Sequence, residues 1–266
     1  MNNKKIAVIG IGNMGGSIVK GLIKSNFLPS SDIYVSDKNR TTLGEMEMLG
    51  VTALRNNEEA VRNADVVIVA VKPYHIEGVL NEIKSVLTKD KVLLSIVAGV
   101  SLKVLGEMVG KEIPIVRVMP NTAIAIQESL TCISLNGNTE AYKDYVFELF
   151  NALGKTVEIN EDLMAAATAL SSCGIAYALR YIRAAMQGGI EVGFSAEKAQ
   201  FITAQTVKGA AELILQSGNH PEREIDKVTT PMGVTITGLN EMEHKGFSSS
   251  LIQGIMASYK KIQPIK

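Results

Sequence analysis

Tryptophan is absent from this 266-residue chain, aromatic residues make up 5% of it, and it has two cysteines and three histidines. So few aromatics leave little to stack on nucleobases. The 27 basic and 27 acidic side chains cancel, and no basic run tracks a phosphate backbone. Nucleic-acid binding is therefore excluded as a main activity. Cys132 and Cys173 suggest neither a disulfide scaffold nor a thiolate metal site, and a reducing cytoplasmic setting fits them. No uninterrupted apolar run approaches the ~18 residues of a membrane span. The run Ile6-Ala7-Val8-Ile9 is too short for a signal peptide. His75, His220 and His244 stand singly, and surface roles are expected for each, since no triad or metal-ligand spacing surrounds them.

What the chain has in quantity is aliphatic residues. With 46% hydrophobic composition it can build two cores. Up to about residue 160, short apolar runs at 6–9, 33–35, 66–71, 92–97, 113–118, 130–134 and 156–159 alternate with helix-period segments at 14–25, 41–49, 76–87 and 139–153. Continuous apolar strands between helices indicate a mainly parallel sheet covered on both faces. From Glu161 onward Ala, Leu, Ile and Met recur at helical spacing over 176–192 and 196–216, Pro221 suits a short helix, and 248–262 reads as a last helix. Residues such as Tyr181, Ile182, Ala185, Met186 and Ile190 put apolar surface on more than one helix face. A second subunit covering that surface is the expected explanation.

Gly10-Ile11-Gly12-Asn13-Met14-Gly15 follows the first strand and opens a helix. Glycines at this spacing permit a tight turn, close approach to a pyrophosphate, and packing of helix on strand. Asp37, 22 residues after Gly15, stands where an acid would hold ribose hydroxyls and favour NAD, but Lys38 and Arg40 beside it could hold the extra phosphate of NADP. NADPH and NADH both stay open. Val71-Lys72-Pro73, Ala98-Gly99 and Met119-Pro120-Asn121 fall at strand ends, where a ligand of such a sheet lies, and the Asn121 amide offers both a donor and an acceptor.

Far downstream, Thr229-Thr230-Pro231-Met232-Gly233-Val234-Thr235 makes a poor helix interior and a good helix entrance. Free N–H groups at such an entrance bind carboxylates. No acid is placed to protonate a nascent alkoxide. A protonated cyclic imine needs none, because its charge already draws hydride, so orientation plus a carboxylate anchor suffices. That leans the reading toward a C=N bond.

The glycine loop, Asn57 before Glu59-Ala60-Val61, Ala70-Val71-Lys72-Pro73, Val116-Arg117-Val118-Met119-Pro120-Asn121-Thr122 and the turn ending at Thr235 together resemble pyrroline-5-carboxylate reductase over nearly the whole chain. The resemblance implies an α/β Rossmann-like NAD(P)-binding domain over residues 1–160 and an all-α dimerisation and substrate domain over 161–266. It implies reduction of (S)-1-pyrroline-5-carboxylate to L-proline, by a homodimer that extends to a decamer in a ring. It places the Gly10 to Gly15 loop on pyrophosphate, Asn57 at the adenosine-side ribose, and Val71, Lys72, Pro73, Ala98 and Asn121 around the nicotinamide. Glu161, Thr230, Gly233 and Val234 fall at substrate positions, with the Thr235 hydroxyl approaching the ring nitrogen.

Departures mark a divergent member. Ser-Gly-Ser-Gly-Pro-Ala-Tyr of the family becomes Ser171-Ser172-Cys173-Gly174-Ile175-Ala176-Tyr177, and Ser-Pro-Gly-Gly-Thr-Thr becomes Thr230-Pro231-Met232-Gly233-Val234-Thr235. A reductase of another imine or of a β-hydroxy acid, and a non-catalytic regulatory paralogue, are the alternatives.

Overall fold

The computed structural model describes residues 4–110 and 112–262. Strand β1 (Ile6–Ile9) is buried at all four positions, and its side chains divide by parity. Ile6 and Val8 join one apolar cluster with Ile18, Leu22, Met46 and Phe150, while Ile9 joins another with Leu80, Ile83, Leu93 and Leu105. The period of two sends alternate residues to opposite faces, so a strand apolar throughout needs helices on both sides.

Those helices are α1 (Asn13–Lys24), α2 (Arg40–Glu47), α3 (Asn57–Arg62), α4 (Ile76–Ile83), α5 (Leu102–Val109) and α6 (Lys143–Asn151). They cover a sheet made of β1, β2 (Ile33–Ser36), β3 (Thr52–Leu54), β4 (Val66–Val69), β5 (Val92–Ser95), β6 (Ile115–Met119), β7 (Ser129–Leu135) and β8 (Gly154–Glu158). The strand order is β3-β2-β1-β4-β5-β6-β7-β8. Its first six strands are parallel and in the doubly wound order that places a ligand beyond their carboxyl ends. β7 runs antiparallel to β6, and β8 is parallel to β7.

The sheet departs from the sequence expectations in three places. The run 66–71 ends as a strand at Val69, so Val71, Lys72 and Pro73 lie past the strand end, with Lys72 capping a 3₁₀ turn. The run 92–97 ends at Ser95, and Ala98 sits in an exposed turn. β3 and the helices α3 and α5 had no counterpart among the expected elements.

The chain divides into two compact units, one running to Cys173 together with Tyr259 onward, the other Gly174–Ser258. Residues 161–173 therefore pack with the sheet unit. This segment holds α7 (Met164–Ala167) and a π-helical turn, Thr168–Ser172, whose serines are tied to strand ends. Ser171 Oγ donates to the Leu130 carbonyl at 3.3 Å and Ser172 Oγ to the Pro120 carbonyl at 2.9 Å.

The second unit is helical: α8 (Gly174–Glu191), α9 (Ala196–Ser217), α10 (Pro221–Val228), α11 (Val234–His244) and most of α12 (Phe247–Lys261). Ser195 caps α9, and Gly218, in the left-handed region, ends it. Within this unit the Tyr177 and Ser258 hydroxyls meet at 2.5 Å. α8, α10, α11 and α12 contain no fully buried residue, and Phe201 and Leu215 of α9 are 71% and 77% exposed. One helical stretch, Glu161–Glu191, is long and apolar enough to cross a membrane by length and composition alone.

Candidate active site

Beyond the carboxyl ends of β1, β2 and β4 lies a cleft of about 490 Å³. Its floor is the glycine turn. Gly10 has φ +86°, and a Cβ there would come within 2.8 Å of the Val71 side chain. A Cβ on Gly15 would sit 2.0 Å from the Gly10 carbonyl oxygen, so only glycine lets α1 pack this closely on β1. At Gly12 a Cβ would meet nothing within 4 Å, which leaves open space at the helix start. Gly12 provides no side-chain cap, and the first turn of α1 carries no acid. Its first N–H groups, from Asn13, Met14 and Gly15, are thus left for an anion, with the helix dipole behind them.

One wall of the cleft is a short polar chain. Ser36 Oγ donates to Asn57 Oδ1 at 2.7 Å, and Asn57 Nδ2 donates to Glu82 at 2.5 Å, which fixes the orientation of the amide. The Asp37 carboxylate accepts from the Ile11 N–H at 2.9 Å and from the Asn39 N–H at 2.8 Å. Lys38, Arg55, Lys72, Tyr74 and His75 line the remainder.

In the helical unit the sequence Thr230-Pro231-Met232-Gly233 forms a turn in which the Gly233 N–H donates to the Thr230 carbonyl at 2.8 Å. Met232 sits third with φ +62°, the position glycine usually takes in a type II turn. Gly233 then starts α11 without a side-chain cap, so the Val234 and Thr235 N–H groups have no side-chain acceptor. A Cβ on Gly233 would fall 2.5 Å from Thr230 Oγ1, which makes glycine obligatory there. Thr235 is half-buried and its hydroxyl makes no hydrogen bond among the described residues, while Val234 is 90% exposed.

Against known proteins, residues 161–265 match the family model for pyrroline-5-carboxylate reductase dimerisation, and residues 5–99 match that for NADP oxidoreductase, coenzyme F420-dependent. Pyrroline-5-carboxylate reductase 2 of Dictyostelium discoideum is 40% identical, over 98% of this chain and 92% of its own length. The chain belongs to the pyrroline-5-carboxylate reductase family. Reductase 1 of the same organism is 43% identical over 96% of this chain, which spans only 49% of that protein's length. The crystal structure of the Plasmodium falciparum pyrroline carboxylate reductase with NADP bound superposes with a TM-score of 0.89 at 33% identity, covering 99% of this chain and 98% of that one.

Within this family frame the expected cofactor residues separate into those that line the cleft and those that do not. Gly10, Gly12, Asp37, Lys38, Asn57, Val71 and Lys72 line it. Ile11 and Asn13 border a neighbouring hollow of about 390 Å³ instead. The Ile11 side chain is core, and its N–H is taken by Asp37 rather than left for a phosphate. Met14 packs against the core, and Pro73 and Ala98 are not on the lining.

Two expected site residues are held by bonds within the protein. Asn121 is 6% exposed and its amide is engaged internally, accepting from the Ala123 N–H at 3.0 Å and donating to Ser171 Oγ at 3.4 Å. It caps a 3₁₀ turn. Glu161, expected near the substrate, pairs with the buried Arg117 guanidinium at 3.2 Å and accepts from the Leu102 N–H at 2.5 Å. A buried guanidinium demands a counter-charge, and Glu161 supplies it. Burial pushes the Arg117 pKa down, while Glu161 opposes the shift.

Sequence reasoning missed Arg55, Tyr74, Gly78 and Glu82, which line the cleft, and gave His75 a surface role; it is exposed and lines the cleft as well. Their one sequence signal is that most follow the end of β4, where a ligand-facing turn begins. His220 caps α10, its Nδ1 accepting from the Glu222 N–H at 3.3 Å.

Proposed function

We propose that this chain reduces (S)-1-pyrroline-5-carboxylate to L-proline with NADPH or NADH, the last step of proline synthesis, as an oligomer built through its helical unit. The observation that carries the reading is the uncapped start of α11 at Gly233, with Thr235 in its first turn, in a chain whose sheet unit has an equally uncapped glycine cleft. The cleft fits a dinucleotide, since it offers an anion-binding helix start, an open face at Gly12, the Asp37 carboxylate just past β2 and the Asn57 amide at the start of α3.

The nicotinamide group, when bound, supplies a hydride to the imine carbon. The N–H groups of Val234 and Thr235 hold the substrate carboxylate, beside Thr230 and Gly233, whose own N–H is bonded to the Thr230 carbonyl. The Thr235 hydroxyl meets the ring nitrogen, accepting from the iminium N–H and donating to the lone pair that hydride transfer creates there. As the iminium accepts hydride its π electrons move onto nitrogen, and the product amine needs no further proton. The protein's contribution is orientation and charge complementarity, not acid catalysis.

Residues 1–160 serve as the cofactor domain and 161–266 as the dimerisation and substrate domain. The family match over 161–265 supports that division, although 161–173 pack with the sheet unit. Dimers, extended to a decamer, account for the apolar exposure of α9 and for the composition of the 161–191 helix, which carries Arg180 and Arg183. The protein works in the cytoplasm away from membranes, consistent with its two free thiols.

The test is a purified-protein assay of NADH and NADPH oxidation with pyrroline-5-carboxylate, with L-proline measured directly. Turnover supports the assignment. Cofactor binding without turnover on this substrate would overturn it, and turnover on β-hydroxy acids alone would replace it.

A further inference from the structure

The geometry points to Asp37 as the residue that makes this cleft select NADH over NADPH, an inference that rests on the dinucleotide reading of the cleft. Asp37 follows the last residue of β2 and lines the cleft, the place from which a carboxylate accepts hydrogen bonds from the adenosine ribose. Each of its oxygens is already held by one backbone donor, Oδ2 by Ile11 and Oδ1 by Asn39. A carboxylate offers about four acceptor sites. Two fixed bonds orient it and leave capacity for the 2′- and 3′-hydroxyls.

A 2′-phosphate meets the opposite situation. It brings negative charge against a fixed carboxylate, and it needs donors. Four of the N–H groups that could serve it, in the turn and at the start of the next helix, are occupied. Asp37 takes the N–H of Asn39, the Asn39 side chain takes those of Thr41 and Thr42 at 3.0 and 3.4 Å, and the Asn39 carbonyl takes that of Leu43 at 3.1 Å. The Ser36 hydroxyl is turned inward to Asn57.

The cations nearby do not offset this. Arg40 is not on the cleft lining; it is the first residue of α2. Lys38 and Arg55 do line the cleft, but both are exposed, and neither is held in an ion pair among the described residues. Ordering either long side chain around a phosphate costs rotamer entropy, whereas the carboxylate is already immobilised.

The experiment is calorimetric titration of the full-length protein with NADH and with NADPH, and with AMP and adenosine 2′,5′-bisphosphate as fragments, without substrate. NADH is expected to bind tighter by roughly tenfold or more, and AMP tighter than the bisphosphate. Asp37→Ser should weaken NADH and strengthen NADPH until the ratio reaches one or inverts, and Asp37→Asn should move it the same way. Melting curves of both variants with and without cofactor confirm that they remain folded. Wild-type protein binding NADPH as tightly as NADH, or a ratio unmoved in both variants, would overturn the inference while leaving the reductase assignment intact. Failure to bind either dinucleotide would overturn the cleft reading and this inference with it.

Discussion

Arg117 and Glu161 form an ion pair at 3.2 Å in which the arginine side chain is only 9% exposed. The same carboxylate oxygen accepts from Leu102, the first residue of α5, so one acid joins β6, the start of a helix and the segment leading into α7. Glu161 is 30% exposed and the Arg117 Nε has no hydrogen-bond partner among the described residues, which makes the pair incompletely satisfied.

Glu161→Gln is therefore expected to destabilise the protein by about 2 kcal/mol, because it leaves a desolvated guanidinium without its counter-charge. Pairing it with Arg117→Met should recover most of the loss, since replacing both ends by groups of similar volume is often neutral. Denaturant unfolding of both single variants and the double variant measures this. Cofactor affinity in Glu161→Gln should stay within a few-fold of wild type, and a loss of turnover without loss of stability would return Glu161 to the substrate.

Burial pushes the Tyr145 phenol well above its ordinary value, with Asp65 and Glu148 reinforcing the shift. In the unfolded chain it titrates near pH ~10. A group whose folded pKa is raised contributes stability that is fully present below the unfolded pKa and is lost as pH rises through it toward the folded one. Unfolding free energy should thus fall above about pH 10. Tyr145→Phe keeps the ring edge-on to Phe27 at 5.7 Å and removes the titrating group. Its stability should fall less steeply than that of wild type over this range, as read by urea denaturation at stepped pH.

Phe201 and Leu215 on α9 are large side chains left in the open by the single chain. Apolar surface on this scale is covered by association. Leu215→Glu combined with Phe201→Glu is expected to lower the sedimenting mass and the melting temperature together. An unchanged mass would show that α9 lies outside the subunit contact.

Legibility followed how local each signal was. β1, β4 and β5 could be read because both faces of each strand are buried, which leaves largely apolar runs. β3 is three residues long with an exposed first position, so it pairs with β2 without any pattern of its own. The antiparallel entry of β7 depends on a 3₁₀ turn closed by Gln127 at φ +64°, a conformation its residue type does not announce. In the cleft lining, the glycine loop and Asp37 follow from motif and spacing, and Asn57 from the family resemblance. Glu82 joins the cleft only through the tertiary placement of α4. The bonds that hold Glu161 had no sequence signal, because its partners lie 44 and 59 residues earlier in the chain.

Thr235 occupies the second position of α11 with an unengaged hydroxyl. Thr235→Ala should lower turnover about tenfold or more by removing a donor aimed at the substrate nitrogen. The hydroxyl caps nothing, so stability should move by no more than about 0.5 kcal/mol. Steady-state kinetics and melting curves on one preparation decide it, and wild-type rates would remove the assigned role.

Met232 holds φ +62° in the turn before α11 with its side chain fully exposed. An L side chain in the left-handed region costs roughly 1–2 kcal/mol, and no burial of the thioether repays it in the single chain. Met232→Gly removes that strain but adds backbone freedom to the unfolded chain worth about 0.5–1 kcal/mol. The net expectation is a gain in stability of about 0.5–1 kcal/mol. The same substitution removes a bulky apolar group two and three residues from the Val234 and Thr235 N–H groups assigned to the carboxylate. A changed KM for pyrroline-5-carboxylate with cofactor affinity unchanged would therefore show that the thioether contacts the substrate, whereas the stability gain alone would confine Met232 to the turn.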